Sequence, residues 1–385
     1  MSRKSKTRSK RWTFTGSTRL TRRFTGVAVA GLLTAAMVPA SALTASAAPA
    51  AGTSSNPARI GLYGRQTPKY DGVYRQGLTI LALDDSGADV APEAIKWLRR
   101  QQCDNGKFMS FRSDLTKSCG AADSNATAMA IMAFHAVGRN AAANDALNWL
   151  EKQQLSGGGW EYTAGWGADS NSTGLVVQAL IAMGVDPASV TNHGTPLDYL
   201  TSLQLGCDEA KAKLRGALDY QAEVPLVRND YATAQATQAL AGTSLPVAPQ
   251  AGSTDLPQFG CAGKLAQRGP AVAPSDAAAG YLGRRIAAND GTIPSAFGGG
   301  ADYGSTANAV LSLVAAGYGS KQVTSAMAAL EGAAPTFTND SDEKVLPAAA
   351  ALLVLAENAT EGNPRHVNGL NLIKRLKNSI TIAAA

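Results

Sequence analysis

Asp123-Ser124-Asn125-Ala126-Thr127-Ala128-Met129 decides the fold, because it recurs. It returns as Asp169-Ser170-Asn171-Ser172-Thr173, as Asn229-Asp230-Tyr231-Ala232-Thr233 and as Asp302-Tyr303-Gly304-Ser305-Thr306. Each copy opens a run of small and apolar residues long enough for about three helical turns. A polar residue before such a run is a helix start, since its side-chain oxygen satisfies amide donors left free in the first turn. Repetition at this scale makes the chain an array of similar supersecondary units.

Each unit holds two helices of different character. The first is apolar nearly all round, as in 127–137, 173–183, 306–316 and 348–356, and must be buried on most sides. The second is one-sided: Lys96, Arg99 and Arg100 share one polar face, and Asn148, Glu151 and Lys152 share another. Alternation of the two kinds predicts an inner and an outer layer. Inner helices are expected to begin near Val73, Asn125, Ser170, Tyr231, Tyr303 and Val345, and outer ones near Pro92, Ala141, Thr195, Ser275, Ser320 and Pro364. Every unit leaves an apolar face for a neighbour to cover, and a closed ring of six hairpins covers them all. The expected fold is all-α, an (α/α)6 toroid of about twelve helices over residues 71–385, with an open superhelix as the alternative.

Residues 1–47 read as a signal peptide. They carry nine Lys or Arg and no acid, then an apolar stretch from Gly26 to about Leu43 and the small-x-small site Ala45-Ser46-Ala47. Thr21-Arg22-Arg23-Phe24 resembles a twin-arginine export signal, so general secretion and twin-arginine export both stay open. Residues 48–70 are expected to be a flexible N-terminal segment. Nine of the 35 basic residues lie in the leader, which leaves 26 against 29 acids, a net charge of −3. The sequence pI near 9.1 therefore belongs to the leader, and basicity gives no ground for a nucleic-acid partner. No lasting membrane anchor is expected of so short and Ala/Gly/Thr-rich an apolar stretch, and the mature protein is expected to be a secreted monomer.

Four cysteines in a secreted chain predict two disulfides, and Cys103–Cys119 with Cys207–Cys261 is the most local of three possible pairings. The second would pin the long connection 242–274, which holds five prolines and no helical period. No Cys-x-x-Cys occurs and the three histidines are scattered, so neither metal nor cofactor is expected.

After the outer helices come Gln102-Cys103-Asp104-Asn105-Gly106-Lys107-Phe108 and Gln154-Leu155-Ser156-Gly157-Gly158-Gly159-Trp160. With Trp97-Leu98 and Trp149-Leu150 before them, they resemble the Gln–Trp repeats of terpenoid cyclases and the related protein prenyltransferases. That resemblance implies an α/α toroid in which the Gln and the aromatic ring tie each outer helix to the next inner one. Asp123-Ser124-Asn125-Ala126-Thr127-Ala128-Met129 is similar to the class II cyclase motif Asp-x-Asp-Asp-Thr-Ala-Met, whose middle Asp is the proton donor. Here that position is Asn125, and the next acid is Ala126. An amide is no general acid, so this copy is scaffold without its catalytic group. Asp340-Ser341-Asp342-Glu343 keeps an acidic version, which makes Asp342, with Asp340, the alternative catalytic acid.

Inner helices of a toroid run parallel, so their N-termini gather at one rim. Asp123, Asn125, Asp169, Asn171, Asp230, Tyr231, Asp302 and Tyr303 are expected there, with Trp160, Tyr162 and Trp166. The leading expectation is a secreted, non-catalytic toroid binding a small hydrophobic or glycan-like ligand, or an extracellular protein, at that rim. The alternatives are a divergent cyclase using Asp342 and a cell-surface interaction module with a filled centre.

Overall fold

The computed structural model describes residues 53–54, 56–223, 225–259, 261 and 272–383, all within the unit 42–385. The expected signal peptide lies outside the described residues. Among these, twelve α-helices follow one another as six hairpins: α1 (Gly72–Asp85) and α2 (Pro92–Gln101), α3 (Ser124–Ala136) and α4 (Asn140–Glu151), α5 (Ser170–Ala182) and α6 (Pro196–Ser202). The others are α7 (Asp230–Leu240) and α8 (Pro274–Ala287), α9 (Tyr303–Ala316) and α10 (Ser320–Phe337), α11 (Pro347–Ala359) and α12 (Leu372–Asn378). The odd-numbered helices pack in order, α1 on α3, on α5, on α7, on α9, on α11, and α11 returns to α1. The ring is closed. Its even-numbered helices form the outer layer.

Small residues make the inner ring tight. Gly174 of α5 lies so close to α7 that a Cβ there would stand 2.9 Å from the Ala236 Cα. Four inner helices share one start. Asp123, Asp169, Asn229 and Asp302 are N-caps whose side chains accept from the amide three residues on. Four residues after each cap stands a Thr, and its hydroxyl accepts an amide from the preceding turn: Phe108 N at 3.1 Å from Thr127, Trp160 N at 2.9 Å from Thr173, Leu218 N at 2.8 Å from Thr233, Ile293 N at 2.9 Å from Thr306. The repeated Asp/Asn-x-x-x-Thr thus closes the helix start and hangs the preceding turn on it.

The glutamines act differently from what the resemblance implies. Gln102 Nε2 donates to the Ala142 carbonyl at 2.9 Å, inside the next outer helix, and Gln204 Nε2 to the Pro274 carbonyl at 2.8 Å, at the start of α8. They therefore join outer helix to outer helix, while the amide-to-Thr bonds reach the inner layer. The glycine after Gln102 makes this possible. Gly106 has φ +93°, and a Cβ there would stand 2.1 Å from the Asp145 carbonyl oxygen. Gly106→Ala is expected to cost about 3 kcal/mol, from left-handed backbone strain and overlap together. Urea unfolding within about 0.5 kcal/mol of the parent would show that the turn tolerates a Cβ.

Two expectations need correction. The described part of 48–70 is not loose: Leu62 and Tyr63 are buried, the Trp97 indole donates to the Ala58 carbonyl at 2.7 Å, and Thr381 N donates to the Leu62 carbonyl at 2.8 Å. Parallel pairing of Thr53–Ser54 with Ile382–Ala383 brings the first and last described segments together. The last outer helix begins at Leu372 rather than near Pro364, because left-handed Asn368 and Gly369 turn the chain before Asn371 caps it. The acids 340–343 precede α11, as a start near Val345 requires, since its cap is Leu346 and its first residue Pro347.

Both disulfides are present, Cys103–Cys119 with Cα atoms 6.1 Å apart and Cys207–Cys261 with 5.7 Å. The connection 242–259 holds no helix. It passes the C-terminal end of α9, where Ser253 N donates to the Gly317 carbonyl at 2.9 Å, and Leu256 then lies against Gly283 of α8.

Glu357 stands near the C-terminal end of α11 with 2 % of its surface accessible. Burial pushes its carboxyl from the ordinary 4.5 up to about 7, and the charge of Glu331 adds to this. The folded chain therefore keeps a proton that the unfolded chain releases, and stability falls as pH rises from 4.5 to 7. Its shell is incomplete at the helix end, so screening reduces the effect. Glu357→Gln is expected to raise stability by about 1–2 kcal/mol above pH 7 and to change little at pH 4. Denaturant unfolding at both pH values checks the sign.

Candidate functional site

The inner-helix N-termini bring Asp123, Asp169 and Asp302 to one rim, each bound into its own helix start. Asp123 accepts from Ala126 N at 2.9 Å and from Ser110 Oγ at 2.7 Å. Asp169 accepts from Ser172 N at 2.6 Å and Ser172 Oγ at 2.8 Å, and Asp302 from Ser305 N at 2.9 Å and Ser305 Oγ at 2.6 Å. Burial raises the carboxyl of Asp123 and pushes that of Asp169 up to about 6. Asp230 is different. It follows the cap Asn229 and faces outward, held by Arg285 at 2.7 Å, by Arg228 at 2.9 Å and by the Tyr281 hydroxyl. It joins α7 to α8 and is not free to meet a ligand.

Two residues after three of the caps stand Asn125, Asn171 and Tyr231, and after the fourth stands Gly304. Asn125 Nδ2 reaches Asn171 Oδ1 at 3.4 Å, bridging α3 and α5. Tyr231 occupies the same position on α7, with 46 % of its surface accessible. Tyr74 of α1 comes from the opposite side of the ring, and both phenols lie against the Gln235 carboxamide of α7. Burial pushes the Tyr231 hydroxyl up to about 12 and Tyr74 higher still, where the neighbouring Tyr231 adds to the effect. The Tyr231 hydroxyl is thus enclosed while part of the ring stays accessible. Tyr74, Gln235 and Tyr231 thus meet across the axis below the rim.

The aromatic side of the rim is the loop after α4. Glu161 Oε2 accepts from Gly165 N, Trp166 N and Gly167 N at 2.9, 3.0 and 3.0 Å, which folds the loop around one carboxylate. Trp166 is thereby held out with 49 % of its surface exposed, edge-on to Tyr162 at 6.1 Å. The Tyr162 hydroxyl lies 3.3 Å from Ser110 Oγ, beside Asp123. Trp160, expected at the rim, is fully buried instead, with its indole donating to the Leu150 carbonyl at 2.8 Å. In this extended stretch alternate residues point to opposite sides, so Trp160 faces the core and Glu161 the loop. Tyr303 is half-buried against Phe337, ring centres 5.8 Å apart. It also lines an open cleft of about 730 Å³ between residues 289–301 and α10, of which it alone belongs to the rim set.

The sequence did not single out Tyr74, Gln178, Gln235 or Gln238. Their signal was polar residues inside helices otherwise made of Ala, Leu and Val. Gln178, Gln235 and Gln238 keep an unpaired Oε1, Asn125 an unpaired Oδ1 and Asn171 an unpaired Nδ2. Asp342 lies in the turn before α11 with 66 % of its side chain exposed and Lys344 Nζ at 2.7 Å. That hydrogen bond and charge hold its carboxyl below the usual range, the wrong direction for a proton donor. Asp340 organises the same turn, accepting from Asp342 N at 3.0 Å, Lys344 N at 2.9 Å and Gln66 Nε2 at 2.8 Å. Among the described residues no three His, Cys, Asp or Glu are grouped as metal ligands, and no helix is long and apolar enough to cross a membrane.

No family model matches the chain, and no curated protein matches its sequence. Among solved structures, a protein from Actinoplanes is similar at TM-score 0.50 and 15% identity, over 79% of this chain and 93% of its own. The apo type II terpene cyclase MstE from Scytonema has TM-score 0.47 and 16% identity, over 74% of this chain and 75% of its own. A sugar epimerase from a ruminal bacterium has TM-score 0.45 and 12% identity, over 78% and 93%. The likeness to the Actinoplanes protein is one of fold alone, and the fold is the closed α/α toroid built from the hairpins above.

Proposed function

We propose that this chain is a secreted binding module that holds a ligand or extracellular partner at the inner-helix mouth and carries out no acid–base chemistry there. The observation that carries this reading is the division of labour at the rim. Its acids are committed, Asp123, Asp169 and Asp302 to caps and Asp230 to two arginines, whereas Trp166, Tyr231 and the Asn125–Asn171 pair keep surface and hydrogen-bonding capacity in reserve. Aromatic surface beside a few convergent polar groups is the usual make-up of a small-molecule site. The basic leader with its small-x-small site and the two disulfides support export. The cyclase alternative loses its acid, since Asp342 is exposed and paired with Lys344.

Mature protein and a Trp166→Ala, Tyr231→Ala double variant, purified in parallel, are to be extracted for mass spectrometry. The expected result is a small molecule or partner retained by the parent and lost from the variant. Turnover of squalene, oxidosqualene or geranylgeranyl diphosphate that disappears in Asp342→Asn would overturn the proposal and restore the enzyme.

A further inference from the structure

The inner helices carry unpaired carboxamide atoms that the helix starts do not use, at the mouth on Asn125 and Asn171 and deeper in α5 and α7 on Gln178, Gln235 and Gln238. Asn171, Gln178, Gln235 and Gln238 are each at least 95 % buried, and each leaves one polar atom without a partner. With Asn125, four of the five free atoms are acceptors and one is a donor. Gln178 Nε2 reaches the Gln235 carbonyl at 3.3 Å, and Gln235 lies against both axial phenols, which brings the Gln235 carboxamide to the axis. A buried amide without a partner is costly, and a ligand that supplies hydroxyl donors relieves that cost.

Charge narrows the ligand further. The charges acting on Tyr74, Tyr220 and Tyr231 are those of Asp123, Asp169, Asp302 and neighbouring phenols, and no lysine, arginine or histidine acts on Asp123 or Asp169. Against these three carboxylates stand the N-terminal ends of the inner helices, each roughly half a positive charge. The two sets offset, which leaves the mouth strongly polar and close to neutral. An anion would face four free acceptors, and an isoprenoid would leave all of them unpaired.

Resting on the binding reading above, we infer that the mouth takes a neutral saccharide. A sugar ring would lay its apolar face on Trp166 and Tyr231 and donate hydroxyls to the carboxamide oxygens of Asn125 and Gln235. Trp166 and Tyr162 supply an edge-to-face aromatic corner, and the Glu161-bound loop fixes its position before a ligand arrives.

The test uses intact, disulfide-bonded protein. Glucose, galactose, N-acetylglucosamine, cellobiose, chitobiose and maltose are titrated singly to about 50 mM, enough to fill a site of millimolar affinity. Indole fluorescence and the side-chain amide resonances of Asn125, Asn171 and Gln235 are followed. At least one sugar is expected to shift these resonances saturably, with affinity tenfold or more weaker in Trp166→Ala. If no sugar titrates, or if one does so without moving the amides and equally in Trp166→Ala, the inference is overturned. Glucose 6-phosphate, tetraethylammonium or squalene moving the same amides while every neutral sugar fails would keep the mouth as the site and overturn the saccharide.

Discussion

Trp160→Ala is expected to lower the free energy of unfolding by about 4 kcal/mol, the scale of a fully buried aromatic ring removed from a packed core. Trp160 has no accessible surface, its indole closes the end of α4 through the Leu150 carbonyl, and its amide hangs on Thr173. Trp166→Ala, six residues on, should stay within about 0.5 kcal/mol of the parent, because its ring is half in solvent and its amide bond to Glu161 survives. Urea unfolding of the two variants separates the roles. Loss of less than about 1 kcal/mol in Trp160→Ala would show that the ring is not a structural anchor.

The second large effect belongs to Cys207–Cys261. Its half-cystines are 54 residues apart in sequence, and a bond closing a loop of that size stabilises by about 4 kcal/mol through the entropy denied to the unfolded chain. Cys103–Cys119, separated by 16, is worth about 3 kcal/mol on the same account. The paired Cys→Ser variants should therefore both be destabilised, the 207/261 pair more. Non-reducing peptide mapping should recover both bonds in the parent. The reverse order of destabilisation would mean that native contacts of the connection 242–259, such as Leu256 against Gly283, outweigh loop entropy.

The ring itself was legible because its rule is local and repeated. A cap, an apolar run and a one-sided helix recur, and eleven of the twelve helix starts fall within two residues of where that pattern puts them. The exception, α12, was misplaced because Pro364 imitates a helix start, while the left-handed pair Asn368-Gly369 and the cap Asn371 marked the true one. The Thr four residues after each cap was visible as a repeat, but its partner lies up to 19 residues back, across a turn that no period describes. The mouth was only half legible. Caps announce a rim, so Asp123, Asn125, Asp169 and Asn171 were found. Whether Trp160 or Trp166 faces it depends on the phase of one short extended stretch, and Tyr74 reaches Gln235 from the far side of the ring. Asp230 joined the wrong group because its neighbour Asn229 does the capping.

Closure of α11 onto α1, with Thr53–Ser54 lying beside Ile382–Ala383, leaves the polypeptide without a structural beginning. A short linker joining these ends and a fresh opening elsewhere would give the same ring with its hairpins in rotated order. The opening of choice is the exposed tip at Gly298-Gly299, where no side-chain contact or disulfide is cut. Hairpins arranged as links of a bracelet can be reopened at such a clasp while the mouth, which belongs to the whole circle, keeps its lining.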